Sequence, residues 1–135
     1  MSYPIEDIEG IGSANADKLS KAGITKTGDL LDKCAAPAGR RNVAETSGVS
    51  EAMVLRWTNM ADLMRISGVA EEYSDLLEAA GVDTVKELRN RNPENLAAKM
   101  AEVNEQKKLT RQVPSASQVT KWVEQANELE PILTY

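Results

Sequence analysis

The residues best suited to chemistry form a short run near the start of the chain: Gly10, Ile11, Gly12 and Ser13, followed by Lys18 and Lys21. Glycines that take positive φ leave their backbone N–H groups bare. At the start of a helix such groups form a concave donor cluster suited to a phosphate oxygen. The two lysines, further along that helix, can reach flanking phosphates. Contacts of this kind position a nucleic-acid backbone without reading its sequence. A Gly-x-Gly turn serves close helix packing as well, so the residues alone leave both roles open. Other groups tempt less. There is no histidine and one cysteine, Cys34, so no imidazole stands ready to activate the thiol and no internal disulfide forms. Glu71, Glu72 and Asp75 lie at helical spacing, yet nothing completes a coordination sphere, and a solvated helix start is expected. Lys107, Lys108 and Arg111 read as a solvated basic loop, with a phosphate contact as the lesser reading. No Ser-Lys or paired-carboxylate arrangement has supporting neighbours. The chain therefore reads as non-catalytic, with no metal and no cofactor.

The elements that hold the glycine turn occur twice. Ile8, Gly10, Ile11, Leu19, Ala22, Gly23, Ile24 and Leu30 recur 58 residues later as Ile66, Gly68, Val69, Leu77, Ala80, Gly81, Val82 and Leu88. Val54, Trp57 and Ala61 recur 65 residues later as Val119, Trp122 and Ala126, so a short insertion separates the two blocks. A repeat of this length implies a duplicated helical unit whose halves, 1–65 and 66–135, pack as one compact body. Glycines and prolines punctuate it into helices expected over 13–22, 27–33, 41–47 and 50–65, then 71–80, 84–91 and 93–103. A polar loop with some helical character is expected over 104–113, before a last helix capped by Ser115 or Ser117. Val54, Trp57, Met60, Ala61 and Met64 form one apolar stripe; Val119, Trp122, Val123, Ala126 and Leu129 form another. Nothing alternates at period two, so the expected fold is all-α.

Composition agrees. With no Phe, two Trp and three Tyr, the core must rest on aliphatic residues, which suits short packed helices better than a β-sandwich. No signal peptide or membrane span is expected, and the lone cysteine fits a reducing cytoplasm. A net charge of −5 and a pI near 4.8 work against strong autonomous nucleic-acid binding. The charge is uneven: residues 1–65 carry 8 basic and 9 acidic side chains, residues 66–135 carry 8 and 12. Residues 13–44 hold six basic and three acidic side chains, which makes this stretch the place for a positive face.

The unit Ile-x-Gly-Ile-Gly, a small-residue helix and a Gly-Ile exit resembles the helix-hairpin-helix motif, in which two short helices flank a tight glycine turn. Carried over, the resemblance makes Gly10, Ile11, Gly12 and Ser13 the phosphate-contacting turn, Lys18 and Lys21 its assistants, and Arg40 and Arg41 further helpers. The second repeat departs from the pattern. Ala70 stands where Gly12 would be, and Glu71-Glu72 would suit a helix dipole but repel a phosphate. That repeat is expected to be structural.

Residues 42–57 also resemble the helix-turn-helix of lac-repressor-type regulators, through Val43, Ala44, Gly48, Val49, Ser50, Val54 and Arg56. Most of these positions shape an αα corner, and the would-be reading helix begins with Glu51-Ala52, a poor start for approaching DNA. Trp57 and Trp122 sit on apolar stripes, which favours paired core anchors over a base-stacking platform.

Over nearly its whole length the chain resembles the bacterial domain-of-unknown-function family 4332. The likeness rests on residues 8–31, 57–66 and 73–88, the last with Ala-Ala-Gly-Val-Asp-Thr-Val, and on 91–96. It implies tandem helix-hairpin-helix (SAM-like) repeats packed as a pseudo-two-fold compact bundle, and it supplies no activity. The expected function is a cytoplasmic adaptor that touches DNA backbone through the first hairpin without sequence specificity. The alternative is a protein-interaction module using the acidic second half; sequence-specific recognition by the helix-turn-helix unit ranks below both.

Overall fold

Short amphipathic segments, cut by glycine and proline, fold into eight α-helices among the described residues. The computed structural model describes residues 2–69 and 71–135, and at Glu71 the backbone alone. The first four helices are α1 (Gly12–Ser20), α2 (Thr27–Cys34), α3 (Pro37–Ser47) and α4 (Glu51–Leu63). The other four are α5 (Glu71–Ala79), α6 (Val85–Leu88), α7 (Pro93–Lys107) and α8 (Ala116–Glu128). A 3-10 turn, Ile5–Asp7, precedes them, and the sole extended pairing among the described residues is a bridge between Pro4 and Lys26. The fold is all-α, as expected, and no helix among these residues is long and apolar enough to cross a membrane.

Local chemistry explains the boundaries. Ser50 caps α4 by accepting from the Met53 N–H, and Ser115 caps α8 by accepting from the Gln118 N–H, each at 3.2 Å. α3 begins at Pro37 rather than Arg41, because proline at the first helical position gives up an N–H that had no helical partner. α7 runs past Val103 to Lys107, through Glu105, Gln106 and Lys107, good helix formers that give the helical character expected at the start of 104–113 a full extra turn. It stops where Lys108 turns left-handed, with φ +52°, and donates to the Asn104 carbonyl. The Asn104 side chain then clamps Thr110, accepting from its N–H at 2.9 Å and donating to its carbonyl at 3.1 Å.

Two apolar cores result. One gathers Ile5, Ile8, Ile11, Leu19, Ile24 and Leu30 under Val54, Trp57 and Met60. The other gathers Ile66, Val69, Leu77, Val82 and Leu88 under Val119, Trp122 and Val123. The two tryptophans thus anchor separate cores rather than pairing with each other, and Trp122 instead meets Tyr73, ring centroids 5.2 Å apart. Trp57 is wholly buried, and its indole nitrogen has no hydrogen-bond partner among the described residues.

Helix α4 joins the cores. Its stripe faces the first, while Leu63 belongs to the second. Asp62, 2% exposed, accepts from Arg65 and from the N–H of Val85, both at 2.8 Å, and so caps α6 from another helix. Arg56 donates to both carboxylate oxygens of Glu78 on α5 at 3.1 Å and approaches Asp75 at 3.6 Å. Residues 129–135 return to the first core's helices. Thr134 donates to the Ala35 carbonyl and accepts from Arg40, and the Tyr135 hydroxyl meets Asn59.

Candidate nucleic-acid interface

The first glycine turn is built from its buried residues outward. Ile8 and Ile11 are sunk in the core, with the Ile11 N–H donating to the Ile8 carbonyl at 3.3 Å. Gly10 and Gly12 are thereby left exposed at φ +89° and +68°. A side chain at Gly12 would meet nothing within 4 Å, so the left-handed backbone, not crowding, is what calls for glycine there. Helix α1 starts directly behind this turn with no side-chain cap and no acidic residue in its first turn. Its partial positive charge therefore faces an open surface. Ser13 and Ala14 are exposed there, and so are Lys18 and Lys21.

At 1.5 Å per residue, Lys18 and Lys21 lie about 9 and 13 Å along the helix from Gly12. They therefore serve neighbouring phosphates rather than the one at the turn. Asp17 is exposed on the same face, and Glu6 and Glu9 are exposed just before the turn. Counting cations from residue 13 onward hides those two glutamates, although both are plain in the sequence.

The second turn has the same backbone and a different cover. Gly68 has φ +92° and Val69 is buried, its N–H donating to the Ile66 carbonyl at 3.1 Å. Gln125 on α8 grips the turn, accepting from the Ser67 N–H at 3.0 Å and donating to the Ser67 carbonyl at 3.2 Å. The Trp122 indole nitrogen would stand 3.2 Å from a side chain built at Gly68. In the first half the position matching Gln125 holds Met60, a core residue with no such reach. The Gly12-to-Ala70 difference lies outside the described residues; exposed Glu72 opens α5.

A family model described as a domain of unknown function, DUF4332, matches residues 9–129. The chain belongs to that family. The DUF4332 match takes in both glycine turns and all eight helices, and leaves out the 3-10 turn and most of the returning C-terminal segment. No curated protein and no solved structure gives a significant match.

Within this DUF4332 chain the two expected arginine helpers part company. Arg40 is 5% exposed; it donates to the carbonyls of Cys34, Ala35 and Thr134 and lies over the Tyr135 ring at 5.6 Å. Its guanidinium thus closes the α2–α3 corner through bonds to backbone carbonyls. Arg41 is exposed and pairs loosely with Glu51 at 3.5 Å. The helix-turn-helix look-alike becomes the α3–α4 corner. There α4 fully exposes only Glu51 and Ala52, while Arg56 is committed to α5.

Among the described residues, three groups outside the turn have displaced acidities. Asp29 is held below the usual carboxylate range, chiefly by the Thr25 backbone N–H at 3.0 Å. Burial pushes the Cys34 thiol up, and burial likewise raises the Tyr135 phenol. A buried, protonated thiol is a packing residue. Among the described residues no cluster of three or more acidic or cysteine side chains is placed to hold a metal.

Proposed function

We propose that this chain is a non-catalytic adaptor of tandem helix-hairpin-helix units, one in 1–65 and one in 66–135, packed as a pseudo-two-fold SAM-like bundle. It contacts DNA backbone through the first hairpin, without sequence specificity. The observation that carries the reading is the uncapped, acid-free start of α1 behind an open turn at Gly12. Gly10, Gly12 and Ser13 supply N–H donors, while Ile11, whose own N–H is held by the Ile8 carbonyl, anchors the turn in the core. Lys18 and Lys21 supply charge, and Arg41 adds a cation at the margin. With α4 buried along most of its length, the helix-turn-helix look-alike has no exposed reading helix for a major groove, so base reading by that unit has no support. A cytoplasmic setting suits the one free, buried thiol.

The test is fluorescence anisotropy of the protein with labelled duplex, single-stranded and forked DNA at several salt concentrations. A log–log salt slope of about −2 to −4, equal for unrelated sequences, is expected for a few phosphate contacts. Absence of binding at low salt would defeat the reading. It would leave a protein-interaction module, which the exposed Glu6 and Glu9 and the acidic excess of residues 66–135 favour.

A further inference from the structure

We propose that the cleft between α1 and α3 is a phosphate seat formed by Lys21, Lys33, Asn42 and Thr46. The cleft, of about 380 Å³, is lined by these four with Ala22, Gly39 and Val43. Helix α3 brings Gly39, Asn42, Val43 and Thr46 to one face by their spacing. Val43 is buried beneath, while Asn42 and Thr46 stand exposed with hydrogen-bonding side chains. Gly39 lets α3 close on the end of α2, since a side chain there would lie 2.0 Å from the Lys33 carbonyl oxygen. That approach sets Lys33 against the α3 face. Lys33 donates to the Ala22 carbonyl at 3.2 Å, which uses one of three ammonium donors and leaves two. Lys21 forms no ion pair with a described residue. No carboxylate lines the cleft.

Opposing charges set the strength. Asp29 lies one turn before Lys33, but its oxygen accepts from the N–H groups of Thr25 and Lys26. Asp17 lies one turn before Lys21, and the carbonyls ending α1 add negative potential that Lys33 partly offsets. Free phosphate should therefore bind only at millimolar concentration. The seat is peculiar to the first half: the positions matching Lys21 and Lys33 are Ala79 and Arg91, and Arg91 donates to the Gly81 carbonyl. It does not depend on the hairpin's binding DNA. A backbone phosphodiester and the phosphate of a small molecule present the same oxygens to it.

Amide NMR of the full chain, titrated with inorganic phosphate and with chloride at matched ionic strength, tests the seat. Saturable shifts at Lys21, Lys33, Asn42 and Thr46 are expected with phosphate alone. In the double variant Lys21→Gln, Thr46→Val, with Lys33 kept for its structural contact, binding should weaken at least fivefold with the melting temperature unchanged. Shifts that follow ionic strength alone, or that persist at equal strength in the double variant, overturn the proposal. A duplex titration then names the source. Cleft shifts accompanying those at Gly12 and Ser13 mark a backbone phosphate; hairpin shifts alone, with phosphate still bound in the cleft, mark a phosphorylated small molecule. Gly12→Glu that loses duplex while keeping phosphate shows the two sites failing separately.

Discussion

At Gly10 and Gly68 the chain makes the same left-handed turn, and the next residue, Ile11 or Val69, drops into a core. Both following helices also close alike: Ile24 donates to the Leu19 carbonyl and Val82 to that of Leu77. Lys33 and Arg91, at matching positions, each donate to a carbonyl at that exit. The turns differ in what stands over them: Gln125 and Trp122 cover the second, whereas at the first the Arg56 guanidinium would stand 4.0 Å from a side chain built at Gly10 and nothing lies within 4 Å of one built at Gly12. A duplicated scaffold thus keeps its buried positions and diverges in its cover, and function is to be sought where that cover leaves Gly12 open.

The largest expected effect tests how differently the halves close. The α2–α3 link is two residues, Ala35 and Ala36, and forces the backbones together at Gly39; the α6–α7 link is four residues long. Gly39→Ala should cost about 3 kcal/mol or more, whereas Asn95→Ala, at the third position of α7, should change stability by less than about 0.5 kcal/mol. Equal melting temperatures for the two variants would remove this difference. Next comes the first N–H of α2 and α6. Thr27 donates to the Tyr3 carbonyl at 2.8 Å, but Val85 depends on the Asp62 carboxylate. Asp62→Ala leaves Val85 and Arg65 without that partner and should cost about 2–3 kcal/mol by denaturant unfolding. A change below about 0.5 kcal/mol would mean that the carboxylate does not cap α6.

Smaller effects sharpen the same contrast. Gln125→Ala should cost about 1 kcal/mol and speed amide exchange at Ser67, with no change at Gly10 or Gly12. Exchange that stays slow would show that Gln125 does not hold the second turn. Asp29 accepts the N–H groups of Thr25 and Lys26, and the Thr25 bond above all holds its carboxyl below the usual carboxylate range. Its folded pKa lies below its unfolded one, so its contribution is complete above about pH 4 and is lost as pH falls through the lower, folded value. Asp29→Asn should therefore flatten the acid limb of the stability profile below about pH 4. An acid limb unchanged from that of the natural chain would deny the contribution.

Much of the fold was legible because backbone need and burial leave marks in residue type. Glycine at positions 10, 12, 23, 68 and 81 coincides with positive φ, and the repeated aliphatic positions are the buried ones. Contacts made at a distance leave no such mark. Arg56 matched a helix-turn-helix pattern by spacing, yet its partners Glu78 and Asp75 come from the other half. Arg40 counted as an exposed cation until residues 129–135 returned to cover it. Asp62 carried no signal, since a carboxylate near a helix end is ordinarily solvated. The candidate site was legible as a turn and two lysines. Its opposing glutamates were legible too, once the residues before the turn were counted.

The claim that the first hairpin is the open, phosphate-competent one is tested most directly by Gly12. Asparagine tolerates the left-handed backbone and adds no charge; glutamate adds a carboxylate at the start of α1. DNA anisotropy at low salt should show binding by the natural chain and by Gly12→Asn within a few-fold, none by Gly12→Glu, and no loss on Ala70→Glu in the second repeat. Equal loss from Gly12→Glu and Ala70→Glu with both variants folded, or undiminished binding by Gly12→Glu, would contradict the asymmetry.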